Sequence, residues 1–419
     1  MSLSRRTLLK SAAGLVSNLV PVPGLTLRAF ATSTPDRPLL IVVHLRGGAD
    51  GLNLVSPATD PVFIAARSTD LRVAIDGPDA GYALANGPDP KTEFRLHAAA
   101  GGLAELYGDG QLAIIHAAGL TDSTRSHFVA TDMIERGVAD ARGLTRIHDG
   151  WLTRYLAHNH TTDIAAVSAA GSVSGELLGH AAALAVPDLS AGLAPSGGSQ
   201  AREVLTRLYS SGNDVFAAAG RDALGAMATI DSHVPRDGKG AVIGYQPEPG
   251  SAYDSAAEFG RPLKALAQII KMDLGLEVAT VDIGGWDTHE YQPGRFKGIV
   301  QRLSNGLAAF WNDVQRYHDR MVIVTVSEFG RRLRSNRSNG TDHGRANVMM
   351  VLGGQVQGGR FHGGWPGLTP DKLDEGVDLA VVTDYRQVLI EVLGCGTKKP
   401  VAGIFPGYAY PGELGIFGA

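Results

Sequence analysis

The chain has 419 residues, 44% of them hydrophobic and 19% charged, with a formal net charge of −4. That is the composition of a globular protein with a large core, and its slight acidity argues against nucleic acid or an anionic membrane surface as a partner. A single cysteine, Cys395, excludes an internal disulfide framework, and 54 glycines point to many tight turns.

Residues 4–10 read Ser-Arg-Arg-Thr-Leu-Leu-Lys, followed by a short apolar run from Ala12 to Val20 and by Ala29-Phe30-Ala31. This is a secretory signal of twin-arginine type spanning residues 1–31. It implies passage through the twin-arginine translocase in the folded state, a periplasmic or secreted location, and a ligand or metal acquired before export. Four basic residues and no acidic one would leave with the signal, so residues 32–419 are more acidic than the whole. No later apolar run is long enough for a membrane span.

Beyond the signal, continuous apolar runs read as buried strands at Leu39–Leu45, Leu112–Ala117, Ile164–Ala169, Leu276–Ile283, Met321–Val326 and Val348–Leu352. Helical patterns lie between them, at Leu96–Tyr107, Phe128–Arg136, Trp151–His158, Ala201–Tyr209, Val215–Ile230, Ala256–Met272, Phe296–Tyr317 and Tyr385–Leu393. Alternating strands and helices predict an α/β, doubly wound, mostly parallel sheet. From about 196 to 275 no strand is evident, which predicts a helical insertion.

Ligands of a doubly wound sheet collect where its strands end. The first strand runs into Arg46-Gly-Gly-Ala-Asp50, whose glycines allow a tight turn beside a carboxylate. The second leads to Arg125-Ser126-His127 at a helix start, where Ser126 is a cap or a nucleophile beside free backbone amides. After the strand at 276–283 comes Asp287-Thr-His289, a carboxylate and an imidazole suited to zinc, manganese or iron. The strand at 321–326 leads to Glu328 and to Arg331, the best placed anion contact, and Asp342-His343 precedes the strand at 348–352. His362 is a weaker candidate. His44 reads as a satisfied core histidine, Asp384 to Arg386 as a helix cap with an ion pair, and Phe310 and Trp311 as core.

Taken together, Gly47-Gly-Ala-Asp-Gly-Leu-Asn53, Arg125-Ser-His-Phe128, Gly284-Gly-Trp-Asp-Thr-His289, Ser327-Glu-Phe-Gly-Arg331 and Thr341-Asp-His-Gly344 resemble a large bacterial family of exported twin-arginine proteins. It is known as a domain of unknown function (number fifteen-oh-one) and placed in the alkaline phosphatase and sulfatase superfamily. The resemblance extends over nearly all of residues 38–395 and implies an alkaline-phosphatase-like fold with one or two divalent metals (Zn, Mn or Mg). It implies metal ligation by Asp50, Asp287, His289, Glu328 and His343, with Asp342 or His127 filling a place that Phe329 leaves open. Catalysis would fall to Ser126 or His127 as nucleophile, with Arg331 on the anion. Hydrolysis of a small phosphate or sulfate ester is the implied activity. The alternative is a non-catalytic exported binding protein that keeps the fold and at most one metal. In either case two clustered carboxylates without metal would repel, and one is expected to take up a proton.

Overall fold

The computed structural model describes residues 38–159, 164–195, 197–212, 214–395 and 403–418. The twin-arginine segment lies outside the described residues.

Fourteen strands are present among the described residues. They are β1 (Leu39–Leu45), β2 (Val55–Pro57), β3 (Tyr82–Leu84), β4 (Phe94–Leu96), β5 (Leu112–Gly119), β6 (Ala166–Ser168), β7 (Leu184–Ala185), β8 (Val278–Ile283), β9 (Met321–Val326), β10 (Arg331–Ser335), β11 (Thr341–His343), β12 (Asn347–Gly353), β13 (Arg360–His362) and β14 (Thr383–Asp384). Nine of them form the main sheet in the order β13-β5-β12-β9-β1-β8-β6-β7, with β14 also paired to β5. Every pairing in it is parallel except those of β12, which runs against both β5 and β9. The protein is therefore α/β with a mostly parallel central sheet.

Every residue of β1 is buried, as a strand covered on both faces requires. Its side chains alternate between two cores. Leu39, Ile41, Val43 and Leu45 join the helices α1 (Gly101–Gly108), α6 (Gly260–Lys271) and α7 (Gln292–Asp313). Leu40 and Val42 join α2 (His127–Arg136), α3 (Trp151–Asn159) and α8 (Tyr385–Gly394). Each fully buried Leu or Val of these layers contributes about 1.5–3 kcal/mol.

The expected helix at 96–107 splits into strand β4 and helix α1, because Ala100 N donates to His97 O in a turn and two glycines follow. There a Cβ on Gly102 would stand 2.7 Å from Ala308 Cβ, so glycine lets α1 lie close on α7. Between residues 198 and 271 lie α4 (Gly198–Ser210), α5 (Val215–His233), a loop over 234–252 and a 3-10 turn at Tyr253–Phe259 leading into α6. The expected single helix from 256 breaks at Ala257, which adopts φ +48°. The helix-cap reading of Asp384 holds, since its carboxylate accepts from Arg386 N and pairs with the Arg386 guanidinium. No helix among the described residues is long and apolar enough to cross a membrane.

One topological feature places the site. The C-terminal ends of β1, β5, β8 and β9 share one edge of the sheet, and antiparallel β12 begins at that same edge. The loops after four strands and the hairpin before a fifth therefore converge.

Candidate metal centre

Asp287 follows β8, Glu328 follows β9, His127 opens α2 and His343 closes β11, and all four meet at that edge. His343 Nε2 is 3.1 Å and His289 Nε2 2.9 Å from Asp287 Oδ1, while the two Nε2 atoms are 2.9 Å apart. His127 Nε2 approaches Asp287 Oδ2 at 3.5 Å and makes no hydrogen bond among the described residues. Ligand atoms of His127, Asp287 and His343 all lie within 4.8 Å of one another, a spacing one ion can bridge.

The three imidazoles are oriented alike. His127 Nδ1 sits 2.8 Å from Glu328 Oε1, His289 Nδ1 3.3 Å from Asp342 Oδ1, and His343 Nδ1 3.0 Å from the carbonyl oxygen of Arg125. A carbonyl or an ionised carboxylate only accepts, so each Nδ1 is placed to donate, and each Nε2 faces Asp287. Histidines that ligate metals characteristically hold the second ring nitrogen in this manner. Phe329 packs beside His127 and His343, with centroids 4.9 and 4.7 Å away.

Burial opposes the charge of Asp287, but hydrogen bonding with His343 and Arg331 outweighs it and holds its pKa at about 2. Burial likewise opposes the charge of Glu328, and the hydrogen bonds from His127 and from backbone amides, among them the amide of Gly47, hold it at about 2. The hydrogen bond to Glu328 in turn raises His127, whereas burial lowers His343. The expected proton uptake by one of these carboxylates is therefore not found, because each has its own cationic or imidazole partner.

The other expected residues are placed differently. Asp50 is fully buried and gripped by Arg67 through Nη1 at 2.5 Å and Nη2 at 2.9 Å, with Gln292 Nε2 at 2.7 Å. It stands in a structural network rather than with the imidazoles. Arg331 is buried and its guanidinium is engaged by Asp287 and by the carbonyls of Gly47, Gly48, Trp286 and Thr341. It orients Asp287 through Nη2. Ser126 is exposed, and its hydroxyl makes no hydrogen bond among the described residues. His362 binds the carbonyls of Gln357 and Leu414, away from the centre. His44 is buried as expected yet unsatisfied, since neither ring nitrogen has a hydrogen-bond partner among the described residues.

Sequence reasoning missed Arg67 and Gln292 and gave Phe329 no packing role. Gln292 links Asp50 to the hairpin by accepting from Thr341 Oγ1 at 2.7 Å. Only the sequence neighbourhood of Phe329 gave a signal, and nothing in the sequence tied Arg67 to Asp50.

The model of the family described as Protein of unknown function (DUF1501) matches residues 244–396. The match covers less than half of the chain. It holds Asp287, His289, Glu328, Arg331, Asp342 and His343, while His127 lies outside it. No curated protein matches the chain. Among solved structures it is similar to the C-terminal periplasmic domain of EcEptC from Escherichia coli in complex with Zn, at 7% identity and a TM-score of 0.35, covering 76% of this chain and 73% of that one. It is also similar to the PsFucS1 sulfatase from Pseudoalteromonas sp., at 10% identity and a TM-score of 0.37, covering 88% and 70%. A third likeness is to Thermus thermophilus alkaline phosphatase, at 14% identity and a TM-score of 0.30, covering 75% and 64%. Similarity at this level leaves the reaction to be argued from the residues.

Proposed function

We propose that the protein is an exported, metal-dependent hydrolase of phosphate or sulfate esters. The observation that carries this reading is the common orientation of His127, His289 and His343, whose Nε2 atoms all face Asp287 while their Nδ1 atoms are held by acceptors. Three neutral nitrogens and one carboxylate suit zinc, and manganese also accepts such donors. A divalent ion held there would supply Lewis-acid polarisation of an ester oxygen.

The protein's own residues have separable tasks in this reading. Glu328, Asp342 and the Arg125 carbonyl fix the rings, and Arg331 fixes the Asp287 carboxylate. The first amides of α2, beside His127, favour a bound anion. Ser126 is the hydroxyl adjoining that helix start, and Ser126→Ala with unchanged turnover would assign the attack to water instead.

Purified protein assayed on p-nitrophenyl phosphate and p-nitrophenyl sulfate, with Zn²⁺, Mn²⁺ or Mg²⁺ added, should turn over one of them and lose that activity in Asp287→Asn. Metal bound without turnover of either ester would leave the non-catalytic binding protein as the correct reading. Export is inferred from residues 4–10 alone, and replacing Arg5 and Arg6 by Lys should retain the protein in the cytoplasm.

A further inference from the structure

On the α2 face of the sheet, His44 of β1 lies beneath Glu135 of α2 and Glu176 of the turn at 174–177. We propose that these three residues bind a second divalent ion of the zinc and manganese class, separate from the centre around Asp287.

His44 is 2% exposed and Glu176 1%, and His44 Nδ1, His44 Nε2 and Glu176 Oε1 have no hydrogen-bond partner among the described residues. Polar atoms left buried and unpaired destabilise a fold, so a group of them aimed at one another calls for an occupant. Glu176 Oε1 is 3.4 Å and Glu135 Oε1 3.9 Å from His44 Nδ1. Ligand atoms of the three all lie within 4.8 Å of one another, compatible with bonds of about 2.0–2.2 Å to a common ion.

The local charge also points to a cation. Glu135, Glu176 and Asp282 face a single arginine, Arg46, which binds Glu135 Oε1 at 2.7 Å and Asp282 Oδ1 at 3.2 Å. One positive charge against three carboxylates leaves a deficit of two, which a divalent ion would cancel. The carboxylates are held in place, since Ser174 Oγ donates to Glu176 Oε2 and Glu135 Oε2 lies against the Cα of Gly175, where a Cβ would overlap it. The partly exposed side chains next to the group are Arg46 and Asp282, at 24% and 39% exposure.

Such an ion would fasten α2 to β1. Glu135 and His127 are on the same helix, eight residues and about 12 Å apart, so the two centres would share one rigid element without sharing a ligand.

The test uses Asp287→Asn protein, stripped with chelator and titrated with Zn²⁺ by calorimetry. It should retain one zinc site, and Glu176→Gln in that background should abolish it while circular dichroism stays unchanged. His44→Gln serves if the Glu176 variant fails to fold. No zinc binding by Asp287→Asn, or binding that survives both substitutions, overturns the proposal. Wild-type protein that binds one zinc equivalent, lost in Glu176→Gln and kept in Asp287→Asn, would refute the Asp287 centre alone and leave this one standing.

Discussion

His289 and His343 meet Nε2 to Nε2 at 2.9 Å, and neither ring can turn away without giving up its Nδ1 acceptor. Two lone pairs aimed at each other need a proton on one ring or a cation between them. A cation that binds only the folded state stabilises it by about 2.7 kcal/mol at one hundred times its Kd. His343→Ala should therefore lose about 2–3 kcal/mol of zinc-dependent stabilisation relative to wild type, measured by denaturant unfolding with and without zinc. An equal zinc effect in both proteins would place the ion elsewhere.

Asp50 gives the opposite expectation. Both its oxygens are taken by Arg67, with Gln292 and Thr341 completing the shell, and the Arg67 charge holds its carboxyl below the usual range against the effect of burial. Arg67→Ala would leave a buried carboxylate unpaired and should cost about 3–5 kcal/mol in chemical denaturation. Asp50→Asn should leave the bound zinc unchanged by elemental analysis. Loss of one zinc equivalent in folded Asp50→Asn would return Asp50 to the metal centre.

The sheet and the residues at its rim were legible because buried parallel strands are continuous apolar runs and ligating side chains follow their ends. The position of His343 was legible only as proximity to a strand. That it reaches the same edge as Asp287 follows from the reversed direction of β12, which no local pattern encodes. The partners of Asp50 and Arg331 were hidden from the sequence for a common reason. A charged residue beside a glycine turn looks available in sequence, and its partner, Arg67 for one and four backbone carbonyls with Asp287 for the other, is fixed by tertiary packing. Glu135 and Glu176 carried no signal at all, one on a helix and the other in a loop far from β1 in sequence.

Acid stability should be limited by buried histidines. His116 is fully buried, its Nδ1 accepts from Ala117 N and its Nε2 lies 2.9 Å from the Val55 carbonyl, which fixes the neutral tautomer. Burial lowers its pKa to about 4 and that of His97 also to about 4. Between about pH 6.5 and 4 the unfolded chain binds more protons at these rings than the folded one, so stability falls as pH falls through that window. The His116 share should be on the order of 1–2 kcal/mol by pH 5. In His116→Asn the slope of unfolding free energy against pH below 6.5 should be shallower, and an unchanged slope would refute the assignment.

Asp313 anchors the loop ahead of the 3-10 turn at 253–259. Its carboxylate accepts from Tyr245 and Tyr253 hydroxyls at 2.8 Å each, from Glu248 N at 2.8 Å and from Lys271 Nζ at 2.7 Å. Asp313→Ala strands these donors and should destabilise the protein by about 2–4 kcal/mol. Limited proteolysis should then cut first between residues 236 and 252. An unaltered cleavage pattern would show that other contacts hold the loop.

Gly47 couples the first loop to the proposed metal centre through its backbone. It adopts φ +122°, its N–H donates to Glu328 Oε1 at 2.8 Å, and its carbonyl accepts from Arg331 Nη2 at 2.6 Å. A Cβ at this position would stand 2.5 Å from Asp287 N and 3.0 Å from Trp286 C, both backbone atoms that cannot swing aside. Gly47→Ala must therefore displace either the Gly47 turn or the segment bearing Asp287, on top of about 1–3 kcal/mol for a side chain in a strained backbone conformation. The two costs separate experimentally. Backbone strain alone lowers the midpoint of unfolding and leaves zinc affinity intact, whereas displacement of Asp287 weakens zinc binding in protein that is still folded. Since the clash falls on the Asp287 amide itself, the expectation is at least a tenfold loss of zinc affinity by calorimetry at a temperature where circular dichroism matches wild type. Full affinity in folded Gly47→Ala would show that the metal centre does not depend on this contact.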